Sequence, residues 1–479
     1  MRTVFSSRLR VILSLAGLLL VAALPVLAQD VPSGSALTGA WSAEEAYFRP
    51  VIRFERAGDG TLVAFLAGNA QEKGAPFSQT RARGDSLFLA SARMGVQFQG
   101  VILSEEQVIE GTWVQGEQSA RLTLTPVEAV TDDEVGSASV SRQQRPEKPY
   151  PYQTEEVTFH NEADEVTLAG TLTTPDAKGP HPGVVLLHGS GSNGRDYEFR
   201  GQKIFRVLAD HLTRQGVAVL RYDMRGVGES GGSLGSARLE DLSEDAASAL
   251  RYLKARSDTD ASHVGLVAHS MGGMIAASIH NQFESTAFLA LLAPPSVAGY
   301  EVLSKQSARF ADAGGATAAE VDSIEQLSHR VFEILRSARD SAGAATQLKS
   351  LFEGRREQGD PLQLTVESNT SAWFRDFVRY DPRPDISQVD VPVLALFGEQ
   401  DLGVPPHQNA GPMRTALAES PSKRTSVRVL DGLNHFLQPA ERDSSATTAK
   451  SETIIAPEVL AQLTEWIWES SGIGESRPD

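Results

Sequence analysis

Residues 265–273 read Gly-Leu-Val-Ala-His-Ser-Met-Gly-Gly, and this stretch decides the fold. An apolar run leads into Ser270, small residues stand two positions away on each side, and a further apolar segment follows. The pattern predicts a tight turn between a strand and a helix, which lifts the Ser270 hydroxyl clear of the backbone. We expect Ala268 and Gly272 to pack against each other beneath that hydroxyl, so both must be small. The alternative is an ordinary serine at the start of a helix.

Apolar runs and helical repeats alternate around this turn. The run from Gly183 to Leu187 is continuous, as in a strand buried on both faces. The strand candidates span residues 183–187, 217–222, 264–267, 288–292, 393–397 and 427–430. Apolar residues at helical spacing occur within residues 204–212, 239–253 and 457–468. Such alternation predicts a doubly wound, mostly parallel sheet of the α/β class within residues 151–479.

Residues from about 297 to 380 interrupt this alternation. The segment is rich in Ala, Glu, Arg, Leu and Ser, and two or three helices fit it, for example at 318–338 and 345–355. We interpret it as a helical cap inserted between two strands of the sheet. Because ligands bind outside the carboxyl ends of such strands, we expect the cap to cover the site. The alternative is an enlarged scaffold that does not contact a substrate.

The segment before the sheet has a different pattern. Between residues 36 and 127, short runs of alternating apolar and polar residues are separated by turns that contain glycine with Asp, Asn or Glu. This spacing predicts a small antiparallel β domain, a barrel or a sandwich, at residues 29–127. We expect Trp41 and Trp113 to pack in its core or at its rim, and a ligand platform is the alternative. Residues 128–150 are polar and contain proline, which is typical of a linker.

The N-terminus has the pattern of a secretory signal. Arg2, Arg8 and Arg10 precede an apolar stretch at 11–24, and Val-Leu-Ala at 26–28 places small residues at the cleavage positions. We therefore expect residues 1–28 to be a signal peptide and the protein to be exported, either periplasmic or secreted. An uncleaved anchor is the alternative. No second long apolar run follows, so we expect no membrane span in the mature chain.

Composition excludes several classes of function. The chain of 479 residues has a net charge of −17. This acidic balance argues against binding to nucleic acid or to an anionic membrane surface, which basic side chains drive. It contains no cysteine, which removes disulfides, thiolate metal sites and a cysteine nucleophile. We expect neither a cofactor nor a metal ion.

Ser270 needs a base, held by an acid, to act as a nucleophile. His435 follows the last strand candidate, and Asp401 follows the strand before it. The order Ser, Asp, His and the positions at strand ends predict that Ser270, Asp401 and His435 form a catalytic triad. Glu399 and Asp431 compete with Asp401 as the acid. Asp431 stands only four residues before His435, which makes the required orientation awkward.

A glycine-rich turn ends the first core strand. Residues 185–192 read Val-Leu-Leu-His-Gly-Ser-Gly-Ser, so that backbone N–H groups can converge on one oxygen. We assign a candidate oxyanion hole to the backbone N–H groups of Ser190 and Met271. A phosphate cradle is the competing interpretation, but no Gly-Lys-Ser/Thr follows. We interpret His188 and His269 as packing residues.

A charged loop at 221–230 follows the second core strand. Asp223 and Arg225 stand two positions apart in it. We expect these two side chains to pair and to fix the loop against the glycine-rich turn, and substrate binding is the alternative.

Together these blocks resemble the α/β-hydrolase superfamily over about residues 155–470. The motifs that carry the resemblance are His188-Gly189-Ser190-Gly191, Asp223-Met224-Arg225-Gly226, His269-Ser270-Met271-Gly272-Gly273, Phe397-Gly398-Glu399-Gln400-Asp401 with Val404-Pro405-Pro406, and Gly432-Leu433-Asn434-His435-Phe436. In detail the chain is similar to bacterial carboxylesterases that also resemble the catalytic domain of prolyl-oligopeptidase-type peptidases. The resemblance implies hydrolysis of small-molecule, short-chain esters through an acyl-enzyme, with no cofactor.

Two other functions stay open at this point. The same triad can cleave amides, so a serine peptidase of the prolyl-oligopeptidase type is one alternative, although residues 36–127 are too few for its β-propeller. A carbohydrate- or lipid-binding protein that acts through the β domain is the other. The sequence indicates neither the acyl and alcohol specificity nor partner proteins.

Overall fold

The computed structural model contains two compact units. The described residues are 37, 39–43, 51–57, 61–67, 75–77, 79–91, 96–103, 108–115, 118–127, 144–199, 202–313, 315–353, 370–440 and 453–471. One unit is formed by residues 1–140 and 352–368, and the other by residues 141–351 and 369–479. The predicted signal peptide at 1–28 and positions 128–143 of the predicted linker lie outside the described residues.

The smaller unit is a sheet of antiparallel strands that curls on itself. Among its described residues, nine strands pair in the order β4-β3-β2-β1-β9-β8-β7-β6-β5. They are β1 (Gly39–Ala43), β2 (Val51–Arg56), β3 (Leu62–Ala67), β4 (Ala75–Pro76), β5 (Gln79–Arg83), β6 (Ser86–Ser91), β7 (Val96–Leu103), β8 (Val108–Gln115) and β9 (Gln118–Val127). The two ends of the sheet meet, because the Ala64 N–H donates to Thr80 Oγ1 at 3.2 Å. Trp41 and Trp113 lie in its apolar core, as expected.

The larger unit is built on a mostly parallel sheet. In the described part of this unit, eight strands pair in the order β10-β11-β15-β12-β16-β17-β18-β19. They are β10 (Tyr152–Asn161), β11 (Val166–Pro175), β12 (His181–Leu187), β15 (Ala218–Tyr222), β16 (Thr259–His269), β17 (Leu289–Leu292), β18 (Val393–Gly398) and β19 (Thr425–Leu430); the short hairpin β13 (Glu198–Phe199) and β14 (Gln202–Lys203) stands apart. Strands β10 and β11 are antiparallel, and β12 with β15–β19 are parallel. This arrangement confirms the predicted fold class.

Helices accompany the parallel strands. They are α1 (Ile204–Arg214), α2 (Leu239–Lys254), α3 (Met271–Ser278), α8 (Arg383–Ile386), α9 (Pro406–Glu419) and α10 (Pro457–Ser471). The apolar positions that gave α1 and α2 their helical spacing, such as Leu208 and Leu250, are fully buried. Burial of this kind stabilises by about 25 cal/mol per Å² of apolar surface. No helix in the described residues is both long and apolar enough to cross a bilayer.

The predicted helical insertion lies between β17 and β18. Its helices are α4 (Gly299–Ala313), α5 (Ala318–Ser337), α6 (Ser341–Glu353) and α7 (Ala372–Arg379). Thr317 begins α5 with a capping box, in which its hydroxyl accepts the Glu320 N–H. Arg379, on α7, donates to the Arg336 carbonyl at the other end of α5. A hydroxyl and a guanidinium therefore satisfy backbone groups that the helix itself leaves unpaired.

Candidate active site

Ser270 occupies a sharp turn between strand β16 and helix α3. Its φ of 51° and ψ of −121° lie outside the regions that non-glycine residues favour. The Ser270 N–H donates to the Leu292 carbonyl at 2.9 Å, and the Ser270 carbonyl accepts the Met274 N–H at 3.0 Å. The backbone of the turn is thus tied to the next strand on one side and to the helix on the other. The turn predicted from residues 265–273 is present.

The small residues of this turn have different neighbours from those expected. A Cβ added to Gly272 would lie 2.5 Å from the His188 carbonyl oxygen and 2.8 Å from that of Leu187. It is Gly273 whose added Cβ would approach the Ala268 carbonyl, at 3.3 Å. The end of β12, rather than Ala268, therefore limits the size at Gly272. This contact brings the glycine-rich turn after β12 against the start of α3.

Three side chains predicted to act together lie in one hydrogen-bonded line. His435 Nδ1 is 2.8 Å from Asp401 Oδ2, and His435 Nε2 is 3.1 Å from Ser270 Oγ. Because a carboxylate only accepts hydrogen bonds, His435 Nδ1 carries the ring proton, and Nε2 accepts a hydrogen bond from the Ser270 hydroxyl. Asp401 is 1% exposed, and its Oδ1 accepts the Val404 N–H at 2.7 Å. The line can move a proton from the serine to the imidazole.

The two competing carboxylates do not reach the imidazole. Glu399 is exposed and accepts the Gly432 N–H at 3.0 Å, so it holds the turn before His435. Asp431 is also exposed. Asp401, which follows β18 and is buried, is the carboxylate that bonds His435.

The glycine-rich turn is shaped by an asparagine that the sequence reasoning missed. The side-chain amide of Asn193 donates to the carbonyls of Gly189 at 3.1 Å, Ser190 at 3.0 Å and Gly191 at 3.3 Å. With those carbonyls turned inward, the peptide N–H groups are left for another acceptor. Within the described residues, neither the Ser190 N–H nor the Met271 N–H donates a hydrogen bond. The signal that could have identified Asn193 is its place two residues after a glycine in a tight turn.

Asp223 pairs with Arg195 and not with Arg225. Arg195 donates its backbone N–H to Asp223 Oδ1 at 2.7 Å and its guanidinium Nη2 to Oδ2 at 2.6 Å. Burial opposes the ionisation of Asp223, but the hydrogen bonds from Arg195 and the Glu229 N–H outweigh burial and lower the pKa of Asp223. Arg225 instead bonds Asp245. The expected Asp223–Arg225 pair was wrong, although the loop is fixed against the glycine-rich turn, through Arg195.

His188 is a buried neutral residue beneath the turn. Its Nε2 lies 3.2 Å from the Gly194 carbonyl, which fixes Nε2 as the protonated nitrogen. Burial lowers the pKa of His188 to about 4. Its ring packs against those of Phe205 and Tyr222. These contacts agree with the interpretation of His188 as a packing residue.

The model of the Alpha/beta hydrolase family matches residues 184–445, more than half of the chain. Esterase EstD of Thermotoga maritima is 26% identical over 302 residues, which cover 63% of this chain and 65% of EstD. The Multifunctional-autoprocessing repeats-in-toxin of Vibrio cholerae is 30% identical over 132 residues, 26% of this chain and 3% of the toxin. The chain thus spans less than two thirds of the length of these curated relatives. Among solved structures, the Pyrococcus furiosus esterase Pf2001 has a TM-score of 0.43 at 14% identity, covering 72% of this chain and 96% of that one.

Proposed function

The chain belongs to the α/β hydrolase family, and we propose that it is a serine hydrolase that cleaves short-chain carboxylic esters. The observation that carries this proposal is the hydrogen-bonded line from Ser270 through His435 to Asp401. A serine, a base and a buried acid in this order form the machinery of acyl transfer. EstD, whose name describes an esterase, is a relative in sequence.

The proposed reaction begins at the Ser270 hydroxyl. Oγ attacks the ester carbonyl carbon while His435 Nε2 takes the hydroxyl proton, and Asp401 stabilises the imidazolium through Nδ1. The carbonyl oxygen becomes an oxyanion that accepts hydrogen bonds from the backbone N–H groups of Ser190 and Met271. One such donor contributes about 3–4 kcal/mol to the transition state in comparable enzymes. The Met271 N–H also stands at the N-terminus of α3, whose dipole favours negative charge there.

The alcohol then leaves and water completes the cycle. His435 returns its proton to the leaving alkoxide oxygen as the carbon–oxygen bond breaks, which leaves an acyl group on Ser270 Oγ. A water molecule attacks the acyl carbon and gives a proton to His435. Collapse of the second oxyanion releases the carboxylic acid, and the imidazolium returns its proton to Ser270. No other group is needed for the proton balance.

The proposal extends to the subtype and to the location of the protein. We infer that it is a carboxylesterase of the kind that resembles prolyl-oligopeptidase-type catalytic domains, because the five sequence motifs are present in the order of that group. We also infer export, with residues 1–28 as the signal peptide. An amide substrate would use the same three side chains, so the first experiment compares both bonds.

The first prediction concerns Ser270. The full chain is assayed with p-nitrophenyl esters of graded acyl length beside a panel of aminoacyl-p-nitroanilides, as wild type and as Ser270→Ala. We expect turnover of short esters over anilides, and a loss of about 10⁶-fold in Ser270→Ala, as when a triad nucleophile is removed. A fluorophosphonate probe should modify Ser270, seen by peptide mass spectrometry.

The matched control is Ser262→Ala, which changes an exposed serine of the same unit. It should keep full turnover and full labelling. Labelling at a different serine would contradict the assignment of the nucleophile. Faster turnover of the anilides than of any ester would replace the esterase with a peptidase.

A further inference from the structure

His269 lies between a tyrosine and the backbone of His435. Its Nε2 is 2.9 Å from the His435 carbonyl oxygen, and its Nδ1 is 3.0 Å from Tyr197 Oη. A carbonyl oxygen only accepts, so Nε2 carries the ring proton. In the neutral ring Nδ1 is then an acceptor, and the Tyr197 hydroxyl must donate to it. The two bonds therefore run in one direction, from Tyr197 to His269 to the His435 carbonyl.

The environment keeps that direction fixed. His269 is 3% exposed and Tyr197 is 6% exposed. Burial lowers the pKa of His269 to about 3, and the neighbouring charge of His435 acts in the same sense. His269 therefore stays neutral when His435 takes up a proton. The ring of Phe436 stacks on His269, with centroids 5.1 Å apart and planes 13° apart, and screens it from water.

The tyrosine end reaches the glycine-rich turn. A Cβ added to Gly189 would lie 2.4 Å from Tyr197 Oη and 3.1 Å from Ser270 Cβ. Gly189 immediately precedes Ser190, whose N–H is one of the two candidate oxyanion donors. The Tyr197 hydroxyl thus touches the turn that would hold the oxyanion.

We propose that Tyr197 and His269 form a positioning bridge that fixes the main chain of His435 relative to the oxyanion turn. The bridge rests on the proposed function, because both of its ends serve the same acyl transfer. The imidazole must receive the Ser270 proton while the turn receives the developing charge, so the distance between the two matters. Misplacement by about 1 Å costs about 100-fold in rate in enzymes of this kind.

The two hydrogen bonds separate this role from simple packing. If residue 269 only packed, an aromatic ring without nitrogen atoms would contact Phe436 as well as histidine does. A bridge needs a donor at one end of the ring and an acceptor at the other, and both are used here. Neither Tyr197 nor His269 touches the substrate in this proposal, so both are positioning residues and not catalytic ones.

The test uses three variants of the full chain. His269→Phe keeps the ring and removes both hydrogen bonds. His269→Gln keeps an N–H near the position of Nε2, so it should restore the bond to the His435 carbonyl. Tyr197→Phe removes only the hydroxyl. The control is Tyr152→Phe, which removes the hydroxyl of another buried tyrosine of the same unit, bonded at 2.8 Å to Asp210.

We expect His269→Phe to lower kcat about 10- to 100-fold with little change in KM, because binding does not depend on the position of His435. His269→Gln should recover most of that loss, and Tyr197→Phe should lower kcat several-fold. Tyr152→Phe should keep kcat. The rate of fluorophosphonate labelling should follow kcat, and urea unfolding of each variant shows whether stability alone accounts for the change.

Two results would overturn the bridge. One is a folded His269→Phe with wild-type kcat, and the other is a His269→Gln no more active than His269→Phe. If His269→Phe does not fold, the comparison of Tyr197→Phe with Tyr152→Phe decides in its place. The proposed function is tested separately by Ser270→Ala. Undiminished turnover in that variant would contradict the catalytic triad, whatever the bridge variants show.

Discussion

Ser270 holds a backbone conformation that strains every residue except glycine. At φ 51° and ψ −121°, its Cβ is forced towards neighbouring backbone atoms. Residues held in such regions cost about 1–3 kcal/mol each, and they persist where the surrounding structure fixes them. Here the hydrogen bonds to Leu292 and Met274 fix the turn. The strain is the structural consequence of presenting the hydroxyl at the end of a strand.

This strain gives the second prediction at the scale of one residue. Both Ser270→Gly and Ser270→Ala lack the hydroxyl, but only glycine relieves the strain. Glycine removes a strain of about 1–3 kcal/mol from the folded state. It also loses more conformational entropy on folding, which costs roughly 1 kcal/mol, so the relief of strain is the larger effect. We therefore expect Ser270→Gly to be more stable than Ser270→Ala by about 1 kcal/mol in urea unfolding. At Ser278, in α3, the order should be reversed, so that Ser278→Gly is less stable than Ser278→Ala. Equal stabilities at position 270 would show that the turn is unstrained.

At this scale the sequence identified side chains better than partners. Ser270, His435 and Asp401 were predicted from strand ends and chain order, and the structure brings these three together. Partners across the fold were harder to predict. Arg195 stands 28 positions from Asp223, and no local pattern joins the two. His269 seemed a packing residue because its hydrogen bonds go to Tyr197 and to a main-chain oxygen 166 positions away.

At the scale of elements, helix α4 supports the loop that carries the acid. Gln306 Nε2 donates to the Gly403 carbonyl at 3.4 Å, and Arg309 donates to Gln408 Oε1 at 2.7 Å. Gln408 in turn donates to the Glu301 carbonyl at 2.8 Å. These bonds join α4 to the loop after Asp401 and to the first turn of α9. The first helix of the insertion is therefore part of the support of the site.

The third prediction tests that support through Arg309. Burial lowers the pKa of Arg309, and the charge of Asp401 opposes this shift. Arg309→Met keeps an unbranched apolar stem and removes the bond to Gln408. We expect kcat on a short ester to fall about 3- to 10-fold, as for the loss of about 1 kcal/mol of interaction. Lys305→Met, at an exposed position of the same helix, should leave kcat unchanged. An unchanged kcat in Arg309→Met would mean that α4 only covers the loop.

Elements with a strong internal pattern were predicted, and those fixed by tertiary contacts were not. The predicted segment 318–338 is helix α5, where apolar spacing and a capping box agree. Helix α4 was missed because polar side chains such as Gln306 and Arg309 occupy the face that bonds the acid loop. Strands β10 and β11 were missed as well. Exposed polar residues interrupt the apolar run of β10, and buried threonines interrupt that of β11. The pairing of these two strands with each other makes β10 the edge of the sheet.

At the scale of the whole molecule, the larger unit begins before its first strand. Gln144 donates Nε2 to the Ile455 carbonyl at 2.7 Å, and its Oε1 accepts the N–H groups of Ile454 at 2.6 Å and Ile455 at 3.0 Å. Tyr150 accepts a hydrogen bond from Arg206 at 2.8 Å and stacks on Tyr152. Residues 144–150, which the sequence suggested as linker, thus make specific bonds within this unit. Composition predicted a polar segment but not its partners, and those of Gln144 lie about 310 positions away.

The last prediction is that the larger unit works alone if those bonds are kept. All candidate site residues lie within it, so a chain beginning at residue 141 should fold and hydrolyse a short ester at the rate of the full chain. A chain beginning at residue 151 loses Gln144 and leaves the buried N–H groups of Ile454 and Ile455 unpaired. Each unpaired buried group costs about 1–3 kcal/mol, so this shorter chain should unfold at a clearly lower urea concentration.

Gln144→Ala in the full chain separates these bonds from the rest of the segment, and it should reproduce most of that loss of stability. Turnover is expressed per mole of Ser270 labelled by the fluorophosphonate, so that misfolded protein does not count. A labelled, folded chain from residue 141 with negligible turnover of the small ester would show that the β unit completes the active site. Normal turnover of the small ester combined with lost turnover of an insoluble one would instead assign substrate binding to the β unit, because chemistry at Ser270 would be intact and only access to a large substrate would have changed.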